Sequence, residues 1–235
     1  MIKHVFFGFL RKAHPTDALR YYLRFHSKEV VRAVGPWLRR YETYQSFPPP
    51  PEAKKFRALG GFMTELWYPA IADYLEARAD ERPYTPPPEG WSAALGPITF
   101  IPARPTEDFL GKEPAPEEKH IIRWCRLLKY PEGVSVKDGE EWYLKTHSQE
   151  TKQQAGLLRY VSHRVIQNLP AARRWHRLEE LWYEDFDLWR KANLEIPPEY
   201  TAPGWREEEP FVDMASIFVG YKPDFDFLQD HSLIP

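Results

Sequence analysis

Two histidines of this 235-residue chain each follow a tyrosine by four positions, His26 after Tyr22 and His147 after Tyr143. On a helix that spacing puts both groups on one face. Imidazole titrates near neutral pH and a phenol can donate a hydrogen bond to an enolate or carbonyl oxygen, so each pair could move protons on an unsaturated substrate. The structural alternative is that each His helps to end its helix through a backbone contact, assisted by Ser27 or Ser148.

Cationic residues supply a second signal. At matched first-strand positions Arg123 replaces Phe7, and the apolar run Phe6-Phe7-Gly8-Phe9 becomes the more polar Ile122-Arg123-Trp124-Cys125-Arg126. Further on, Arg159, Val161 and His163 alternate onto one strand face while Tyr160, Ser162 and Arg164 share the other. A guanidinium inside a sheet needs a carboxylate from the protein or from a ligand, unless its stem carries it to water at a strand end. Trp67-Tyr68 and Trp182-Tyr183 also alternate, so one member of each pair faces the helices and the other the opposite side. Cys125 beside Arg123 and Arg126 reads as a packing residue before a nucleophile.

The elements that position these groups occur twice. Tyr22-Leu23-Arg24-Phe25-His26-Ser27 returns as Tyr143-Leu144-Lys145-Thr146-His147-Ser148, and Glu65-Leu66-Trp67-Tyr68 returns as Glu180-Leu181-Trp182-Tyr183. Tyr84-Thr85 with Tyr200-Thr201 and Gly90-Trp91 with Gly204-Trp205 follow in the same order. Each half reads strand, helix, strand, strand, helix, strand. The first strands start at Lys3-His4 and Lys119-His120. Helices start near Thr16-Asp17 and Asp138-Gly139 and stop at Gly35 and Gly156. Second strands span about 39–47 and 159–166, second helices 70–79 and 185–192, and fourth strands 97–102 and 212–221. The proline-rich stretches 47–54, 82–90 and 102–118 read as loops, the last as the inter-repeat linker. The expected fold class is α+β: repeats 1–112 and 113–235, each ferredoxin-like, whose antiparallel sheets pack face to face as a single-chain dimeric α+β barrel.

Composition narrows the function. A formal charge of −2 offers no field for nucleic acid, and no apolar run approaches the ~20 residues of a membrane helix. One cysteine excludes a disulfide framework and a multi-cysteine metal site, which with the lack of a signal-peptide pattern points to the cytoplasm. No glycine-rich phosphate cradle or His-Glu-x-x-His pattern occurs, so nucleotide cofactors and zinc are disfavoured. Aromatic residues make up 15% of the chain, which suits either a core or the walls of a pocket for a flat ligand.

The Tyr-x-x-x-His helix with its downstream Arg40-Tyr41 or Arg159-Tyr160 strand start resembles the EthD-like branch of the dimeric α+β barrel superfamily, here in tandem form. Both halves carry the motif, with Ser27 and Ser148 where relatives often have a small residue and then Pro. Among tandem forms the chain is similar to the cis-trans isomerases of bacterial syringate and methoxy-aromatic breakdown. That resemblance implies an isomerase or lyase acting without a cofactor on an unsaturated oxo-carboxylate from ring fission. Arg123, Arg159 and Arg126 would hold carboxylates beside Trp182, and His147 or His163 with Tyr143 or Tyr160 would polarise the enol or ketone. His26, Tyr22 and Tyr41 are the first-copy counterparts. Cousins in the superfamily include cofactor-free monooxygenases and decarboxylases acting on phenols and haem enzymes, and a non-catalytic small-molecule-binding or stress-response barrel is a third reading. The expected partner is a small carboxylate, with no metal, nucleic acid or membrane; association into a homodimer is left open.

Overall fold

A computed structural model of the protein describes residues 1–9, 15–79, 95–114, 120–168, 174–205, 211 and 213–229. Strand β1 (Ile2–Phe9) is followed by helix α1 (Pro15–Tyr21), one π-helical turn over Tyr22–His26 and helix α2 (Ser27–Val34). Strands β2 (Arg40–Gln45) and β3 (Gly61–Tyr68), helix α3 (Ile71–Ala79) and strand β4 (Leu95–Pro102) complete the first repeat. The second repeat runs in the same order through β6 (Ile122–Lys129), α4 (Val136–Trp142), a π turn over Tyr143–His147, α5 (Ser148–Thr151), β7 (Leu157–Arg164), β9 (Arg177–Tyr183), α6 (Phe186–Arg190) and β10 (Asp213–Gly220). Short strands β5 (Glu107–Leu110), β8 (Gln167–Asn168) and β11 (Phe225–Asp226) lie at sheet edges.

Both repeats therefore have the expected β-α-β-β-α-β order. One sheet is ordered β11-β2-β3-β1-β4-β8 and the other β10-β6-β9-β7-β5. After its last long strand each repeat sends a short strand to the partner sheet: β5 pairs with β7, and β11 with β2. The exchange covers two sheet edges that would otherwise present unpaired backbone groups. It also corrects the reading of 102–118 as unstructured, since β5 lies within it. Likewise 47–54 overlaps a 3-10 turn at Pro51–Phe56, where proline fits the first helical position. The stretch 82–90, with the first members of the Tyr-Thr and Gly-Trp echoes, lies outside the described residues.

The sheets pack face to face through Val5, Phe7, Tyr44, Met63 and Ile101 against Cys125, Leu127, Leu178, Ile217 and Val219. Outward faces meet the helices, with Tyr22, Tyr41, Tyr68 and Tyr74 in the first repeat and Trp124, Tyr160, Tyr183 and Trp189 in the second. Period-2 alternation accounts for this division, and it places Tyr68 and Tyr183 towards the helices while Trp67 and Trp182 face the space between the sheets.

Strand register changes how the repeats match. Lys3 stands opposite Trp67 as Arg123 stands opposite Trp182, and Phe7 opposite Met63 as Leu127 opposite Leu178. Arg123 thus replaces Lys3 and not Phe7. A cation occurs there in both copies; the shared Lys-His start at residues 3 and 119 had suggested a register four residues away from the true one.

The helix ends also differ from expectation. Ser135, and not Asp138, caps α4, its Oγ accepting from the Asp138 N–H at 3.1 Å. Gly156 adopts φ +75°, a left-handed stop after α5, whereas Gly35 at φ −52° opens a 3-10 turn. Neither His ends its helix. Each closes a π turn in which the N–H of Ser27 or Ser148 donates to the carbonyl of Tyr22 or Tyr143. The same serines donate their hydroxyls to the carbonyls of Leu23 and Leu144, at 3.2 and 2.9 Å.

Candidate functional site

The π turn presents Tyr and His to the sheet in both repeats, with ring centroids 5.4 Å apart in each. What they meet differs. In the first repeat the Tyr22 hydroxyl lies 2.8 Å from Tyr41 Oη, 2.8 Å from Thr43 Oγ1 and 2.9 Å from Thr64 Oγ1, a neutral hydroxyl cluster. Burial pushes the Tyr22 phenol up and the His26 imidazole down.

In the second repeat the same frame closes around a carboxylate. Tyr143 Oη lies 2.9 Å from Tyr160 Oη and 2.9 Å from Ser162 Oγ, and both tyrosines donate to Glu179 Oε1 at 2.7 Å. His147 Nε2 reaches the same oxygen at 3.3 Å, and Arg126 pairs with Glu179 Oε2. Glu179 is fully buried. Burial alone would raise its pKa, but Arg126 and then the His147 hydrogen bond hold it well below the usual carboxylate range. Burial and then the Glu179 charge push both phenols far above their ordinary value, so they remain protonated donors.

A further cation borders the cluster. Arg177 stacks on the Tyr143 ring at 4.4 Å, donates to Ser162 at 3.2 Å and pairs with Glu140 and Glu107. By register, Glu179, Arg126 and Arg177 replace Thr64, Phe6 and Phe62 of the first repeat. Because that repeat forms the same fold without these charges, and a buried ion pair is often no more stable than packed apolar residues, the fold alone does not account for them. Perturbed buried charges in one copy only are a mark of a functional site.

Among the described residues, Glu179 Oε1 at 3.3 Å and Thr151 Oγ1 at 3.5 Å both approach His147 on Nε2. Rings surround it: Trp142 at 5.3 Å, Tyr200 stacked at 5.5 Å and Phe211 edge-on at 5.3 Å. Arg126 Nε is buried with no hydrogen-bond partner among the described residues. A carboxylate behind one imidazole nitrogen fixes the tautomer and strengthens the other nitrogen as a base.

The remaining sequence candidates lie on the opposite face of the same sheet. Arg123, Arg159, His163 and Trp182 line a cavity between the sheets together with Lys3, Glu65 and Trp67, and neither Tyr143, Tyr160, Arg126 nor His147 lines it. One site holding all these residues is therefore corrected to two clusters, because strand alternation sends Arg123 and Arg126 to opposite faces. Both guanidiniums have protein carboxylates as partners, Glu180 for Arg123 at 3.4 Å and Glu179 for Arg126, so neither escapes to water at a strand end. His163 lies 3.3 Å from Glu180 Oε1 and 3.2 Å from the Pro102 carbonyl. Arg159 donates to the Gly111 carbonyl and to Asp108, at 3.3 and 3.1 Å. Cys125 is buried, and burial pushes its thiol up, as for an inert packing residue.

The residues that sequence reasoning missed are the carboxylates. Glu65 and Glu180 open the Glu-Leu-Trp-Tyr echo, and alternation places each on the face of its Trp. Glu179 carried a subtler signal, a charged residue adjoining that echo where the first copy has Thr64. Among the described residues no group of three or more His, Cys, Asp or Glu side chains is arranged to hold a metal ion, and no helix is long and apolar enough to cross a membrane.

No family model matches the chain, and no curated protein sequence matches it. Solved structures do. The chain is similar to an anthrone oxidase-like protein, at 10% identity over 93% of this chain and 89% of that one with a TM-score of 0.54. It is also similar to a dye-decolorizing peroxidase from Bacteroides thetaiotaomicron, at 9% identity over 93% of each chain with a TM-score of 0.47. A chlorite dismutase variant from Candidatus Nitrospira defluvii follows, at 9% identity over 93% and 91% with a TM-score of 0.44. The class that the fold defines is the single-chain dimeric α+β barrel. Architecture is all that the first likeness carries, since one fold hosts many reactions.

Proposed function

We propose that the protein is a cofactor-independent enzyme that takes a proton from a phenolic or enolic small molecule, with His147 as general base and Glu179 as the carboxylate behind it. The substrate's activated carbon then meets O2, a monooxygenase-type reaction in which an aryl-flanked CH2 and O2 give a carbonyl and water. The observation that supports this reading is the convergence of His147, Tyr143, Tyr160 and Arg126 on one buried carboxylate that the first repeat lacks. Tyr143 and Tyr160, whose O–H groups are given to Glu179, hold that carboxylate behind His147, and the rings of Trp142, Tyr200 and Phe211 complement a flat substrate.

A second reading, of the EthD-like kind, uses the same base without O2 for cis-trans or keto-enol isomerisation of an unsaturated oxo-carboxylate; Arg126 Nε, without a hydrogen-bond partner among the described residues, is the observation in its favour. Oxygen uptake measured beside substrate loss separates the two. With anthrone as probe, equal consumption of O2 and anthrone supports the oxygenase. Turnover of an unsaturated oxo-dicarboxylate with no O2 uptake replaces it with the isomerase, and turnover of neither moves the chain to a binding protein.

A further inference from the structure

The cavity between the sheets has a construction of its own. Its volume is about 270 Å3, just under the ~300–1,000 Å3 common among ligand pockets. Like the fold, it is doubled. Trp67 lies between Lys3 and Arg40 on the neighbouring strands, their charged groups 4.4 and 4.9 Å from its ring centre. Trp182 lies likewise between Arg123 and Arg159, at 6.0 and 5.8 Å.

Among the described residues of this lining, unanswered buried donors outnumber unanswered buried acceptors four to two. Arg123 Nε, Arg123 Nη2, Trp67 Nε1 and Trp182 Nε1 are all buried with no hydrogen-bond partner among the described residues, although Arg123 as a whole is only 5% exposed. Buried polar atoms nearly always find partners, so each exception asks for an explanation. Glu180 faces Arg123 Nη1 and His163, and Glu65, whose two oxygens also lack a hydrogen-bond partner among the described residues, lies 2.9 Å from Lys3 Nζ and 3.8 Å from Arg123 Nη1. Five cationic side chains and four carboxylates line the cavity. One of those carboxylates, Glu42, is shifted towards its neutral form by burial and then by the Glu65 charge.

We infer that this inter-sheet cavity is a second binding site, on the opposite face of the sheet from His147, for a small aromatic carboxylate. Its oxygens accept from the four unanswered N–H groups, and its flat body fits between the two indoles. Because these donors are fixed before the ligand arrives, binding orders little of the protein.

Benzoate and terephthalate, titrated calorimetrically into the full chain with methyl benzoate as the neutral control, test this. The expected result is saturable binding of at least one acid, one per chain, and none of the ester. Arg123 is a poor test residue because Glu65 and Glu180 depend on it. Trp182→Phe removes one unanswered donor and keeps a ring between Arg123 and Arg159, so it lowers affinity about tenfold while the free protein stays folded. Arg159→Gln lowers affinity as well, and His147→Ala leaves it unchanged. Any of four results overturns the inference: neither acid binds, the ester binds equally, Trp182→Phe and Arg159→Gln both retain full affinity, or His147→Ala abolishes binding.

Discussion

His147 Nε2 lies 3.3 Å from Glu179 Oε1, while the first repeat puts Thr64 at the position of Glu179. The protein thus contains its own comparison, one frame with a charge and one without. Thr64→Glu should place a carboxylate among hydroxyls with no guanidinium beside it, since Phe6 stands where the second repeat has Arg126. A loss of stability on the order of 3 kcal/mol is expected from an uncompensated buried charge. Adding Phe6→Arg should recover part of it, and urea denaturation of the two variants checks the coupling.

Arg126 and Glu179 form the corresponding native pair. Breaking it with Arg126→Met leaves a buried carboxylate exposed to its own desolvation cost, with an expected loss of about 3–5 kcal/mol. Arg126→Met with Glu179→Gln should be closer to wild type than the single variant. A double-mutant cycle in denaturant measures the difference.

Burial lowers the imidazole of His26, partly offset by the charge of Glu29, and also lowers that of His176. The unfolded chain then binds a proton more readily than the folded one. Stability contributed by the neutral rings is fully present above the unfolded value of about 6.5 and is lost as pH falls towards the folded values. His26→Gln should flatten the slope of unfolding free energy between about pH 5 and 6.5, and adding His176→Gln should flatten it further.

Cys125 packs between the sheets with its thiol shifted upwards by burial. Ellman's reagent should leave it unmodified in the native protein and label it fully in guanidinium. Rapid native labelling would mean that the inter-sheet core opens.

Fold class was legible because two periodicities and an internal repeat agree: the Glu-Leu-Trp-Tyr echo places matching strands, and Tyr-x-x-x-His matching helices. The edge exchange through β5 and β11 was not legible, since a four-residue and a two-residue strand leave no periodic pattern. The site was half legible. Tyr143, His147, Tyr160 and Arg126 could be picked out by type, but their convergence depends on Glu179, a buried charge that composition reads as a surface residue. Arg123 and Arg159 were grouped with them on the resemblance, although alternation along the strand already set Arg159 and Tyr160 on opposite faces.

The most direct measurement is turnover by His147→Ala and His26→Ala on whichever substrate the oxygen-uptake experiment selects, with both variants shown to be folded. Loss of a general base costs about 10²–10⁴ in rate, so His147→Ala should fall by that factor while His26→Ala stays near wild type. Equal losses in the two variants, or full activity in His147→Ala, would contradict a single proton-transfer site in the second repeat.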